Sequence, residues 1–569
     1  MRGWFRAVLG AALLAATPTL AEPSVTALGA AAATTPSSPA EWVQACGDDA
    51  GSPFEFGREG RGVADNKDLL LQSARTVCEE ALRQSPGSPD VSTWLARIYL
   101  AIDRGAEAVQ LLETGAAAGN AFALTMLSEA LINPYGYGID GDYARGQELQ
   151  VAAAETGFAP AQVNLAKAYE AGSDIEQNYE EAYRLYGLAA AQGHPFALFK
   201  LGYNYHVGLT VGADVAEAMR WYQAAADAGA PEGLNGIAQL YEFGGEGVTQ
   251  DYALAADYHQ RAADLGNAAS QAELGFFYEQ GHGVEADPVK AVEWLEKAAG
   301  QGNAYAQASL AIHYLFGPGV EIDVARGFNL AEAAASQGSV FGESILGFLY
   351  AEGMGTERDL SSAVYHFQLA ADQGDTYSQN WIPVIQAEQV CADQAGSQYE
   401  LGLFDTGQDL GAIDVDAAIG ACQNALSLNP NSSGDKAWLG RAYFAAGDFG
   451  NALPMIQESA EAGNPLGQTL LAEMLRDGTG VPSDAGQSLT LLQAAAEKEF
   501  EPAMFALGQA YERGLGVTAD IDLAINWYRR AAVWPMPEAV QRLQQLGSAD
   551  GSEIATEANG FGKEPPAPY

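Results

Sequence analysis

Six histidines, four cysteines and a few Ser, Lys and Asp motifs are the residues through which this 569-residue chain could act chemically. His194, His206, His259, His282, His313 and His366 fall in different segments. No two stand one helical turn apart, where both rings would face one metal. They read as surface or turn residues. Ser433 and Lys436 have the Ser-x-x-Lys spacing that sets a hydroxyl beside a lysine base, in the turn before an expected helix over 435–446. Neither Lys-Thr-Gly nor Ser-Asp-Asn completes that chemistry. Gly136, Gly138 and Gly141 match a dinucleotide fingerprint by letter, but a helix precedes them where a strand is required, so they read as an interhelix turn. Asp140 with Asp142, Asp414 with Asp416 and Asp520 with Asp522 start like calcium loops but lack the later ligands, which makes them helix caps. No nucleophile, base and orienting group converge, and no cofactor or metal is expected.

The cysteines mark a duplication. Cys46, Asp48, Ala50, Gly51, Ser52, Glu55 and Gly57 match Cys391, Asp393, Ala395, Gly396, Ser397, Glu400 and Gly402 at a constant offset of 345. Cys78 and Cys422 then precede similar helices, Trp94 to Tyr99 and Trp438 to Tyr443. In an exported chain four cysteines favour disulfides. Of three pairings, Cys46–Cys78 and Cys391–Cys422 are preferred because each pair occupies matching places in the two copies. A metal site is the weaker rival, since no Cys-x-x-Cys or adjacent His accompanies them.

These residues must be positioned by helices, because a helical beat runs through the chain. Gly119, Gly157, Gly193, Gly229, Gly266, Gly302, Gly338 and Gly374 follow one another at 36 to 38 residues, the period of a stack of supersecondary units. Tyr169, Tyr205, Tyr241, Tyr278, Tyr314 and Tyr350 keep the same beat, each one turn after Leu165, Leu201, Ile237, Leu274, Leu310 or Leu346. A small residue follows each of those, Ala166, Gly202, Ala238, Gly275, Ala311 or Gly347, leaving room for a neighbouring helix. A glycine turn then leads to a second helix opened by an acid, as at Asp214, Asp287 or Asp520, and closed by aromatic residues and alanines. The expected fold is all-α, a right-handed α-solenoid of stacked antiparallel helix pairs.

The Leu-Gly-x-x-Tyr, Gly-x-Gly-Val and Trp-Tyr-x-x-Ala-Ala stations, clearest from Ala268 to Gly302 and from Pro502 to Ala532, resemble the Sel-one-like repeat family, which is related to tetratricopeptide repeats. The resemblance implies an adaptor that binds proteins or peptides. It also leaves a different class open: some disulfide-rich relatives are linked to penicillin binding, so the alternative is an envelope enzyme or enzyme subunit acting on cell-wall or beta-lactam substrates.

Arg2 and Arg6, an apolar run from Ala7 to Ala16 and small residues at Thr19 and Ala21 read as a signal peptide over 1–21, too short to remain as a membrane span. The expected organisation continues with a disordered linker over 22–40, a disulfide-bearing tetratricopeptide-like head over 41–119 and seven repeats over 120–385. A second head over 386–463, two repeats over 464–547 and a disordered tail over 548–569 complete it. The duplication leaves open whether the copies form one superhelix or hinge between Trp381 and Val390. With 28 basic against 73 acidic residues, a net charge of −45, the chain repels nucleic acid and anionic lipid and suits proteins or peptides of basic character in the periplasm or outside the cell.

In stacks of this kind the first helix lines the concave side. The residue after each small position faces the groove, giving Lys167, Tyr203, Gln239, Phe276, Ile312 and Phe348. One turn on stand Glu170, His206, Glu242, Glu279, Leu315 and Ala351. The expected binding site is an apolar wall of Tyr203, Phe276, Ile312 and Phe348 with an acidic shoulder of Glu170, Glu242 and Glu279.

Overall fold

The computed structural model describes residues 36, 38–50, 71–172, 175–400, 408–533 and 536–546. The expected signal peptide, nearly all of the linker and the tail lie outside them. Among the described residues the structure is 27 α-helices with two short 3-10 turns and no strand, in antiparallel pairs, as the sequence implied.

The chain divides into two compact units, the described residues up to Asn303 and those from Ala304 onward. In the first, a head of α1 (Pro39–Ala50), α2 (Leu71–Gln84), α3 (Pro89–Ala101) and α4 (Gly105–Ala117) leads into five pairs. These are α5 (Ala121–Ile132) with α6 (Tyr143–Glu155), α7 (Ala159–Ala171) with α8 (Tyr179–Ala190), α9 (Pro195–Val207) with α10 (Val215–Asp227), α11 (Pro231–Phe243) with α12 (Tyr252–Asp264), and α13 (Ala268–Gln280) with α14 (Pro288–Gly300). The second unit holds α15 (Ala304–Phe316), α16 (Val324–Ala335), α17 (Val340–Glu352), α18 (Leu360–Asp372), α19 (Thr376–Ala395), α20 (Val415–Leu428), α21 (Ser433–Ala445) and α22 (Phe449–Glu461). It ends with α23 (Pro465–Asp477), α24 (Ala485–Ala496), α25 (Glu501–Arg513), α26 (Ile521–Ala531) and α27 (Pro537–Gln545).

In several pairs one acid closes the connection twice. The Asp214 carboxylate caps α10 by accepting from Glu217 N, while its own backbone N–H donates to Tyr205 O at 2.8 Å. Asp251 to Tyr241, Asp287 to Tyr278 and Asp520 to Tyr511 repeat that link, so the tyrosine and acid stations are the two ends of one connection. The expected caps at Asp142, Asp414 and Asp520 are in place, and the glycines at 136 and 138 lie in a turn that ends with Gly138 left-handed. The small station works as anticipated at Gly202, where an added Cβ would stand 2.5 Å from the buried Tyr222 ring. At Gly516, φ is +72° and a Cβ would meet Ala485 O at 2.3 Å, so that turn both reverses the chain and packs on the preceding pair.

Both disulfides join the cysteines paired from the duplication, Cys46–Cys78 and Cys391–Cys422, with Cα atoms 4.7 and 4.6 Å apart. Trp381 to Val390 lie within α19, a helix of 20 residues that has Pro383 inside it and carries Cys391 near its end. Ser433 is the first residue of α21 and not part of a preceding turn, since Ser432 takes the capping position. The reading of the histidines as surface or turn residues fails at His259 and His313, which are buried in the core. His313 bonds Pro318 O through Nδ1 at 2.6 Å, and His366 pairs with Glu343 at 2.7 Å. Sequence spacing alone does not show these neighbours because they come from a turn and another helix.

Candidate binding face of the first helices

First helices of successive pairs touch one another directly, as α3–α5, α5–α7 and α9–α11 do in the first unit and α15–α17, α17–α19, α21–α23 and α23–α25 in the second. Their shared side is the inner face on which a binding site was expected.

In the first unit that face is zoned by charge. Lys167 and Lys200 lie toward its earlier end. Burial, and next the ammonium of Lys200, lower the Lys167 pKa, against the opposing pull of Glu129, Glu170 and Glu232. Its ammonium sits 4.3 Å from the centre of the Phe196 ring. Glu170, expected as part of a free acidic shoulder, is instead engaged: it accepts from Lys200 Nζ at 2.5 Å and from the Tyr186 hydroxyl at 2.8 Å. Lys167 also borders a polar cavity of about 210 Å³ walled by Ser128, Glu129, Asn133, Gln150 and Asn164 among others. Asn164 was missed, although it stands three residues before Lys167 and therefore on the same helical side.

Toward α11 and α13 the face becomes acidic. Glu242 is largely buried and lies 3.7 Å from Nε2 of His259. Burial, helped by the charge of Glu242, pushes the Glu273 carboxyl up to about 7. Behind them a chain of polar groups runs from Asn235 through Ser270 to His259, with Ser270 Oγ donating to Asn235 Oδ1 at 2.9 Å. Ser270 and His259 are both fully buried, so their Ser-His-Glu order is a packing network without an accessible nucleophile.

Tyr203 is one of the exposed large rings, 36% accessible, with Lys200 Nζ 5.4 Å from its centre. Phe276 is partly buried and meets His282 edge-on at 5.5 Å. Glu279, one turn further along α13, is also partly exposed. Ile312 and Phe348 belong to the second unit and are buried, Phe348 completely, where it packs near Phe316 at 6.3 Å between ring centres. An apolar wall at those two positions is therefore replaced by core. The same helical station is filled by the protein in the second unit and left partly open at Tyr203 and Phe276 in the first.

Among the described residues no three or more His, Cys, Asp or Glu side chains are grouped to hold a metal, and no helix is long and apolar enough to cross a membrane.

The Sel1 repeat model matches residues 159–194, 195–229, 231–267, 268–303, 304–339, 342–375, 465–500 and 501–532, and a tetratricopeptide repeat model matches 71–127. The chain belongs to the Sel1-like repeat family. It is 33% identical over 100 residues to chitin synthase regulatory factor 3 of Schizosaccharomyces pombe, a match covering 17% of this chain and 11% of that protein. Among solved structures it is 27% identical to a protective antigen of uropathogenic Escherichia coli strains displaying an SLR fold, over 79% of this chain and 93% of that one, with a TM-score of 0.40. A Sel1 repeat protein from Oxalobacter formigenes is 28% identical over 47% of this chain and 99% of that one, with a TM-score of 0.36. Repeat proteins of this kind bind other proteins.

Proposed function

We propose that this Sel1-like protein is exported to the periplasm or beyond and holds a protein or peptide partner along the inner face of its first unit, without catalysis of its own. The observation that carries the reading is the row of first helices with Tyr203 left exposed and Phe276 half-open where the matching Ile312 and Phe348 are core. Rings anchored on a rigid scaffold supply contact area at small entropic cost. Glu242 and Glu279 give that row a negative character, and the net charge of −45 favours a basic partner over a nucleic acid. Two disulfides suit an oxidising compartment. The domain plan inferred from the duplication, two disulfide-bearing heads each followed by repeats, supplies the rigid frame.

The test is affinity capture from an envelope extract at low and high salt, with wild type beside a Tyr203→Ala/Phe276→Ala double variant. A protein retained by wild type and reduced about tenfold or more by the variant, with unchanged thermal unfolding, is the expected result. Failure of wild type to retain any protein at either salt would overturn the scaffold reading.

A further inference from the structure

We infer that the cavity between α5, α6 and α7 is a binding site for a small zwitterion, a free α-amino acid whose side chain ends in a carboxamide. The inference goes beyond the partner reading and does not depend on it.

The cavity opens where the repeat departs from its own pattern. Seven residues before each marker glycine, the second helix of a pair sets a side chain between successive first helices. Tyr186, Tyr222, His259, Leu295, Ala331 and Phe367 hold that station, and all are fully buried. The Tyr222 ring lies between Gly202 of α9 and Gly236 of α11, where an added Cβ would stand 2.5 and 2.7 Å from it. Seven residues before Gly157 the station is Gln150, which is only half-buried. The flanking glycines are replaced as well. Ser128 stands nine residues after Gly119, as Gly202 does after Gly193, and Asn164 stands seven after Gly157, as Gly236 does after Gly229. Ser128, Gln150 and Asn164 all line the cavity of about 210 Å³, so a slot filled by a ring one repeat later is here an open space with polar walls.

Those walls suit a carboxamide. Ser128 Oγ donates to Gly146 O at 2.7 Å and Thr125 Oγ1 to Ala121 O at 2.8 Å, so both hydroxyls have spent their protons and remain as acceptors. The side-chain amides of Asn133, Gln150 and Asn164 make no hydrogen bond to another described residue, and each offers donors and an acceptor. Elsewhere the protein pairs such amides across adjacent repeats: Gln192 with Gln162 at 3.0 Å, Gln301 with Gln271 at 2.7 Å and Gln337 with Gln307 at 2.7 Å. A carboxamide entering the cavity makes that same pair.

The charges suit the head of an amino acid. Glu129 and Lys167 occupy matching places, ten residues after Gly119 and Gly157, and bring one charge of each sign to the wall. They form no ion pair with each other: Glu129 accepts from the Tyr137 hydroxyl at 3.4 Å, and the Lys167 ammonium lies against Phe196. An α-amino acid carries an ammonium for Glu129 and a carboxylate for Lys167 on a single carbon. Ile132, Ala153 and Ala161 give its methylenes an apolar surface. The volume equals that of roughly seven waters, room for a molecule with on the order of ten non-hydrogen atoms whose head stays at the mouth.

The probe is L-glutamine, titrated calorimetrically into the full chain. Saturable binding is expected by about 10 mM, and its absence overturns the inference. L-Alanine, which lacks the carboxamide, and Nα-acetyl-L-glutaminamide, which lacks both charges, should each bind about tenfold more weakly or worse. Equal binding of either one overturns it too. Ser128→Gly/Gln150→Tyr/Asn164→Gly, which copies the filled slot of Gly202, Tyr222 and Gly236, should abolish binding. Glu129→Gln, at an exposed position that leaves packing intact, should weaken it about tenfold, with Glu155→Gln, exposed on α6, as an unaffected control. Wild-type affinity in Glu129→Gln, or in the triple variant, refutes the site.

Discussion

The two cysteine heads are copies of one sequence, and among the buried positions at which they differ one shows how context reassigns a residue. Each has its disulfide, its buried tryptophan (Trp94 or Trp438) and its buried arginine bonded to backbone carbonyls. Arg97 reaches Ala50 O at 3.2 Å, and Arg441 reaches Ala395 O and Gly396 O at 2.9 Å. Where the first head has Val91, fully buried and apolar, the second has Asp435, 1% exposed with neither carboxylate oxygen hydrogen-bonded. The repeat that precedes the second head supplies Arg358, which is joined at 2.5 Å to Glu388 of that head, and both act on the acid. Burial first, and Glu388 next, push the Asp435 carboxyl up to about 7. The head that follows a repeat array thus carries a polar joint where the matching position of the other head is plain core.

Several substitutions would break or sharpen that contrast. The largest effect is expected from Val91→Asp, which places the second head's acid where Arg358 is absent. Urea unfolding should show the first unit losing about 3–5 kcal/mol at pH 8, and a loss under 1 kcal/mol would mean that the first head tolerates a buried charge as the second does. Replacing either cysteine pair by serine should cost about 3–4 kcal/mol in its own unit through loop entropy, with similar values for loops closed across 32 and 31 residues. Markedly unequal losses would show that one head depends on its bridge and the other on packing.

Asp435→Val, the reciprocal change, should stabilise the second unit by about 2–3 kcal/mol at pH 8. The folded acid holds its proton up to about 7 while the unfolded acid releases it near its ordinary value of 3.8. Wild-type stability therefore falls as pH rises through that window, and the advantage of valine should shrink toward pH 4. A gain independent of pH would assign the effect to packing alone. The smallest change is expected from Gln423→Glu, within about 0.5 kcal/mol by thermal melting. Gln423 donates to the Tyr443 hydroxyl at 2.9 Å, whereas in the first head the Tyr99 hydroxyl donates to Glu79 at 3.1 Å, so reversing the donor keeps one hydrogen bond.

The repeat period, the helix pairs, the acid caps and the cysteine pairing were legible in the sequence. Each follows from interactions whose partners recur at fixed separations: a glycine that must turn left-handed, a carboxylate three residues from the N–H it accepts, a cysteine at the same place in two copies. The binding face was legible only in outline. Its stations lie on the first helices as expected, yet Ile312 and Phe348 are covered, Glu170 is bound by Lys200 and Tyr186, and His259 is sealed under Glu242. Register along one helix determines which way a side chain points. Whether it meets solvent, a cation or another ring depends on the neighbouring helices, whose side chains arrive from about 30 residues away, as Lys200 reaches Glu170 and Arg358 reaches Glu388. Local hydrogen-bond geometry and chain turns thus set this protein's fold from its sequence, while burial and charge pairing, which depend on packing between repeats, were decided by the tertiary structure.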